Sequence, residues 1–263
     1  MNNINNKKWW EPEYGFFGEF YLEGDNSKEG YLEKRQNLEE RTRTEVVGVM
    51  NVLQIKGGEK ILDCPCGYGR HSVMLANKWF DVVWSDINPI HLNKAIQQKG
   101  WQVKLQFYQE NMLELKYNEE FDAVINMFYS FGFFDTDEEN ETVLMNFYKS
   151  LKYGGKFLMH TDVNIPRIEN GKYKEDETRN LENGSQLRII DKYNEETKRI
   201  DGYWIIKKNN KEERKDYSVR VYTAQEFESI CKKIGFKEVK IYSNWNKSPY
   251  SEDSEDMIVV AIK

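Results

Sequence analysis

The chain has 263 residues, a net charge of -6, 39% apolar residues and only three cysteines. That is enough apolar material for one large α/β domain or two small ones, and it excludes a disordered chain. The acid excess argues against wholesale binding to phosphate backbones, and three cysteines suit a reducing compartment better than a disulfide framework. No run of about 18 uncharged apolar residues occurs, and MNNINNKKWW lacks the apolar centre of a signal peptide, so the expectation is a cytoplasmic protein.

Residues 1–30 mix aromatics, Gly and acids without a clean period, which predicts an irregular arm or short helix resting on something apolar. From Gly30 to Leu53, apolar positions among charges predict an amphipathic helix or helix pair, ended by Gly57-Gly58. An alternation follows. Strands are expected at Lys60–Asp63, Asp81–Ser85, Lys104–Tyr108, Phe121–Asn126 and Lys156–His160; helices at His71–Lys78, Pro89–Gly100 and Asp137–Leu151; and a turn at Tyr153-Gly154-Gly155. Strands alternating with helices at this spacing mean βαβ units and a parallel sheet. Residues 163–180 read as a polar loop. Gln186–Tyr193, Ile200–Lys208 and Lys215–Tyr222 alternate apolar and polar, as an antiparallel meander with one packed face does. Thr223, at capping-box spacing to Glu226, opens a helix to Ile234, and strands at Lys237–Ser243 and Met257–Ile262 close the chain.

The stretch ILDCPCGYGRHS follows the first strand, where an open parallel sheet presents its ligand edge. Gly67 and Gly69 remove side chains where chain and ligand approach. A metal clip would need further Cys or His at ligand spacing, and Cys231, His91 and His160 form no such pattern, so no metal is expected. A Cys-Pro-Cys is not a redox pair, so Cys64 and Cys66 read as small buried residues of the turn. No third glycine or Gly-Lys-Ser/Thr is present for a diphosphate, and Asp63 suits a cation better.

This stretch resembles the first motif of class I S-adenosylmethionine-dependent methyltransferases, in which an acid, small residues and Gly-x-Gly follow the first strand. The resemblance extends to Asp86 in VVWSDINPIHLNKA, to Glu110-Asn111-Met112, to FDAVINMFYSFGFF and to LKYGGKF, over roughly residues 40–160 and again at the final helix and strand pair. It implies a doubly wound, mostly parallel seven-stranded sheet with an N-terminal helical arm and an antiparallel β insertion after the fifth strand. The expected parts are an arm and lid over 1–55, a cofactor-binding core over 56–165, an acceptor lid over 166–222, and a C-terminal helix and strand pair over 223–263. It implies S-adenosylmethionine as cofactor, with Asp63, Cys64, Gly67 and Gly69 at the methionine end, and Asp86 on the ribose. Ile87, Glu110, Asn111 and Met112 fall near the adenine, and Asn126 and Phe128 beside the sulfur. Arg43 and Thr44, or Arg41, are candidates for the methionyl carboxylate. Glu110 stands where the family more often has Asp, and His-Thr-Asp-Val-Asn is shifted by one residue from the family's Asp-Val-x-Asn.

For acceptor chemistry the candidates are Asp162 and His160 at the end of the fifth strand, the histidine having the pKa of a base near neutrality. Asp162 suits an amine acceptor and His160 a hydroxyl. Tyr14, Phe17, Tyr21 and Tyr129 are the expected acceptor contacts, since aromatic faces can cage an alkylated ammonium. The reading is therefore methyl transfer to an amine of a small molecule or small peptide, by a monomer or homodimer. O-methylation is the near alternative. Methylation of RNA or DNA, disfavoured by the absent basic patch and the absence of prolines after Asn126, and a non-catalytic cofactor binder are the others.

Overall fold

The computed structural model describes residues 7–27, 37–98, 105–209, 211–251 and 253–263. A short helix α1 (Glu19–Gly24) and a long helix α2 (Leu38–Leu53) precede β1 (Lys60–Asp63), α3 (Arg70–Ala76), β2 (Asp81–Asp86), α4 (Pro89–Gln98), β3 (Leu105–Gln109), β4 (Phe121–Asn126), α5 (Asp137–Ser150) and β5 (Leu151–Thr161). After these come α6 (Ile165–Glu169), β6 (Asp176–Asn180), β7 (Gln186–Asn194), β8 (Arg199–Lys208), β9 (Lys211–Arg220), α7 (Ala224–Ile234), β10 (Glu238–Tyr242) and β11 (Met257–Ile262). The expected residues 99, 100 and 104 of the second helix and third strand, and Leu32 of the first helical segment, lie outside the described residues. Among the described residues no helix is long and apolar enough to cross a membrane.

The main sheet has seven strands in the order β10-β11-β5-β4-β1-β2-β3, and β11 pairs antiparallel with both its neighbours. Strand order reverses at β1, which pairs in parallel with β2 on one side and β4 on the other. This is the doubly wound α/β fold of class I methyltransferases. Its strands read as unbroken apolar runs because both faces are covered. Ile61, Val82, Ala123, Leu158 and Ile258 pack with α2, α3 and α4, while their neighbours Leu62, Val83, Val124, Phe157 and Val259 pack with α5 and α7.

Two expectations need correcting. Tyr153-Gly154-Gly155 is part of β5, not a turn before it: Gly154 N donates to Lys263 O at 2.9 Å and Lys263 N to Gly155 O at 3.0 Å, so the chain's last residue extends the ladder. Residues 163–180 are not a loop throughout, because they contain α6 and β6, and β6 makes the insertion a four-stranded sheet, β6-β7-β8-β9. Phe16 and Phe20 of the arm pack on Leu181, Leu187, Ile189 and Ile206 of that sheet. Arm and insertion therefore share one apolar cluster above the ligand edge of the main sheet.

Candidate active site

A cavity of about 440 Å³ opens beyond the carboxyl ends of the main-sheet strands, roofed by the arm and the insertion sheet. Of the residues singled out in the sequence, Cys64, Gly67, Asp86, Ile87, Glu110, Asn111, Met112, Phe128, Tyr129, Asp162, Phe17 and Tyr21 line it. They come from five strand ends and the arm, which is how a doubly wound sheet gathers residues distant in sequence.

The floor is the turn after β1. Cys64 N donates to Ile125 O at 3.1 Å and Cys66 N to Ser85 O at 2.9 Å, so the turn is tied to β4 and to β2. Gly67 N donates to Asp86 Oδ2 at 2.8 Å, and Asn88 N to Asp86 Oδ1 at 2.7 Å. Asp86 thus joins two strand ends and still faces the cavity with its remaining lone pairs. Burial pushes its carboxyl up to about 6, against the pull of these two N–H donors. It does not cap α4: Asn88 does, accepting from Ile90 N at 2.9 Å. Gly67 holds φ +54°, and a Cβ there would meet nothing within 4 Å, so bare backbone faces open space. Burial raises the Cys64 and Cys66 thiols well above their usual range, which makes them poor nucleophiles.

Several expected residues support the cavity without lining it. Asp63 is 1% exposed and accepts from Ser72 Oγ, its carboxyl pushed up to about 7 chiefly by burial. Gly69 serves packing, because a Cβ there would stand 2.5 Å from the Trp84 ring and 2.8 Å from Ala95 Cβ. Asn126 Nδ2 donates to Cys64 O at 3.0 Å and Ser130 O at 3.1 Å, bracing the turn from beneath. His160 is 3% exposed, stacked on Trp245 at 5.0 Å, with Nε2 3.6 Å from Asp256. Tyr14 is taken up by the insertion, its hydroxyl accepting from Asp216 N at 3.0 Å.

Arg43 and Thr44 require a plain correction. They are exposed on the outer face of α2, where Arg43 pairs with Glu39 at 2.9 Å and Thr44 Oγ1 bonds Glu40 O at 3.1 Å. Successive residues differ by about 100° around a helix, so the cavity face carries Arg41 instead. Arg41 Nε donates to Glu45 Oε1 at 2.8 Å, and Arg70 Nη1 to Glu45 Oε2 at 2.6 Å. His71 Nε2 lies 2.9 Å from the same Glu45 oxygen. Burial and the Arg70 charge push His71 down to about 4, so it is neutral at pH 7. Asp162 stands 3.8 Å from Arg41 Nη2, at the cavity wall.

Phe128 lies between the Arg41 and Arg70 guanidiniums, 4.3 and 4.2 Å from its ring centroid. It and Tyr129 hold φ +57° and +54°, two consecutive left-handed residues without a glycine. Such strain persists only where the surroundings impose it, and it concentrates at functional sites. Glu110 is fixed by the Tyr117 hydroxyl at 2.7 Å and Ser85 Oγ at 3.2 Å, while Asn111 caps the short turn at Met112. Tyr68 also lines the cavity, not anticipated as a site residue, and its hydroxyl bonds Asp25 of the arm. Two more ties hold the arm down: Gly18 N donates to His91 Nε2 at 3.1 Å, and Asn88 Nδ2 to Phe17 O at 2.9 Å. The insertion adds Asp191, Tyr173 and Tyr217 to the lining, also unanticipated.

Residues 61–155 match the family model of the methyltransferase domain. Over those residues the chain carries a methyltransferase domain. A glycine/sarcosine/dimethylglycine N-methyltransferase of Actinopolyspora halophila is 27% identical over 137 residues, 49% of this chain and 24% of that protein. The chain spans about a quarter to a half of the length of the first curated relatives it matches. Among solved structures, the CcbJ methyltransferase of Streptomyces caelestis superposes with TM-score 0.70 at 14% identity, covering 83% of this chain and 89% of that one. CalS10, an amino pentose methyltransferase of Micromonospora echinaspora solved with S-adenosylmethionine bound, does so with TM-score 0.65 at 16% identity, covering 86% and 92%. At such identities the likenesses to solved structures speak to fold.

Proposed function

We propose that the chain is an S-adenosylmethionine-dependent methyltransferase acting on an amine of a small molecule or small peptide. The observation that carries this is the Asp86 carboxylate, joined to the bare Gly67 backbone and lining a roofed cavity at the switch point of the sheet. The site fits the cofactor's chemistry. An ionised acid suits two ribose hydroxyls, Gly67 leaves an open cradle, and Met112 and Ile87 offer an apolar slot for a purine. The cofactor supplies an electrophilic methyl on a sulfonium. The chain's own residues bind, orient and exclude water, which in favourable cases is worth roughly 7 to 11 kcal/mol.

In this reading Arg41, rather than Arg43, holds the methionyl carboxylate. The acceptor is an amine because Asp162 lines the cavity while His160, the candidate base for a hydroxyl, is sealed behind Phe128 and Trp245. Asp162 then orients the amine and takes up its proton through water. The named activity of the glycine/sarcosine/dimethylglycine N-methyltransferase supports a small nitrogen acceptor. We place the enzyme in the cytoplasm, as a monomer or homodimer without nucleic-acid substrates.

The test is a mass-spectrometric screen of amines and matched alcohols with S-adenosylmethionine: one methylene gained on amines only is the expected result, and transfer to alcohols alone would overturn the amine assignment. The Arg41→Gln variant checks the carboxylate role. It is expected to bind S-adenosylhomocysteine about tenfold more weakly, as for one lost charged hydrogen bond, with unchanged affinity for 5′-methylthioadenosine, which lacks that carboxylate.

A further inference from the structure

Asp191 on β7 is a buried carboxylate that the account so far leaves without a task. It is 5% exposed, yet it lines the cavity from the insertion side. Its Oδ2 accepts from the Tyr173 hydroxyl at 2.5 Å, and its Oδ1 accepts from the Tyr217 hydroxyl. Among the described residues no Lys, Arg or His forms an ion pair with it. Arg179 attracts it only at longer range and is itself bonded to Glu177 at 2.7 Å.

Burying a carboxylate is expensive unless donors or a cation offset it. Burial, with a smaller push from the nearby Glu175, leaves the Asp191 carboxyl raised on balance, although the two tyrosine hydroxyls and the Arg179 charge each favour its ionised form. Those hydroxyls keep their protons, since burial and the same carboxylate raise both well above their usual range. Two neutral donors thus hold a negative charge in place without neutralising it. Lone pairs remain on both oxygens, as an ionised carboxylate offers about four acceptor positions.

Asp162, the cavity acid at the end of β5, is placed differently. Asp162 already faces Arg41 at 3.8 Å, so its charge has an internal partner. Beside the charges of Arg179 and Glu175, the surroundings of Asp191 are aromatic. The rings of Tyr173 and Tyr217 line the same cavity, together with Tyr129 at the strained end of β4. Aromatic faces around an anion are the chemistry that holds an ammonium, alkylated or not, because the rings attract a cation that still carries apolar methyls.

We propose that Asp191, held by Tyr173 and Tyr217, is the seat for the ammonium group of the acceptor, so that the substrate class is small organic cations presenting an amine. This rests on the methyltransferase reading above and deepens it. Asp191 is a positioning residue here: it draws the cation from the insertion side toward the strand ends, where the ammonium gives its proton through water to Asp162 and the freed nitrogen lone pair accepts the methyl as the sulfonium becomes a neutral thioether. The rings tolerate added methyls, so a singly methylated amine is kept in the seat as well as an unmethylated one.

The test uses the full chain with tetramethylammonium chloride as probe, titrated by calorimetry with and without saturating S-adenosylhomocysteine and with sodium chloride matching ionic strength. The wild type is expected to bind one probe per chain. Asp191→Asn is expected to weaken the probe at least tenfold and leave S-adenosylhomocysteine affinity unchanged within twofold. Asp191→Glu, which keeps the charge, is expected to recover part of the probe affinity, an outcome that a merely structural role for the aspartate does not give. Where Asp191→Asn does not fold, Tyr173→Phe removes one donor, keeps the ring and is expected to weaken the probe about threefold. Equal probe binding by wild type and variants, or no saturable probe binding by the wild type, overturns the proposal. A wild type that fails to bind S-adenosylhomocysteine overturns the methyltransferase reading instead, and the titration without it still decides the cation seat.

Discussion

Asp86→Ala is expected to weaken S-adenosylhomocysteine by roughly 10- to 150-fold, the loss that follows when hydrogen bonds to one charged group, worth about 1.5–3 kcal/mol, disappear. Two effects act together. On the proposed reading the ribose hydroxyls lose their acceptor, and the N–H groups of Gly67 and Asn88 lose theirs, which frees the turn that shapes the cavity floor. The pH dependence separates these contributions. Burial raises the Asp86 carboxyl to about 6, and the ligand favours its ionised form. Affinity is therefore full above about pH 6 and falls as the pH drops through that value, approaching tenfold per unit. Asp86→Asn keeps an acceptor oxygen without titrating, and its affinity is expected to stay flat across the same window. Calorimetric titrations from pH 8 to pH 5 measure both.

Glu45→Ala is expected to cost about 3–5 kcal/mol of stability, the penalty for removing one partner from a buried charge cluster. Glu45 is 4% exposed and holds Arg41, Arg70 and His71 at once, so its loss leaves two guanidiniums in a dry site without their carboxylate. For a chain of this size that corresponds to a fall of roughly 10 °C in the thermal midpoint. Both guanidiniums flank Phe128, so the cavity wall loosens with the fold. The neighbouring charges hold the Glu45 carboxyl far below the usual carboxylate range in spite of burial. A carboxyl depressed in the folded state stabilises above its unfolded pKa of about 4.3 and loses that contribution only as the pH falls toward the folded value. The difference in midpoint between wild type and Glu45→Gln is thus expected to hold constant from pH 8 to pH 5 and to shrink below about pH 4. Differential scanning calorimetry reads it.

The sheet was legible because its strands are buried on both faces and the helices between them are amphipathic, so run length and period agree. β6 was not: Asp176-Glu177-Thr178-Arg179-Asn180 is an edge strand held to β7 by backbone hydrogen bonds, and nothing apolar in it announces a strand. The turn after β1 and Asp86 could be read from type and spacing, since only an acid and bare backbone serve there. Arg43 and Thr44 could not be told from Arg41 in sequence, because helix phase was not legible there. In RTRTE the inward face is Arg41, Thr42 and Glu45, so polarity could not distinguish inside from outside. The burial of His160 was not legible either, because a strand covered on both sides gives no parity from which to tell cavity from core. Asp191 did leave a trace. Leu187, Ile189 and Asp191 share the inward parity of β7, and a carboxylate at an inward position was the readable sign of a site. Tyr173 and Tyr68 left none, since their roles depend on contacts across the fold.

On the proposed reading, the rim beyond β1 and β2 cradles an adenosyl thioether next to Asp86. Titration of the wild-type chain with S-adenosylhomocysteine, followed by calorimetry and by hydrogen exchange at residues 64–68 and 110–112, tests it most directly. One-to-one saturable binding with slowed exchange in both segments is the predicted result. Absence of binding, or binding that leaves both segments unprotected, would contradict it.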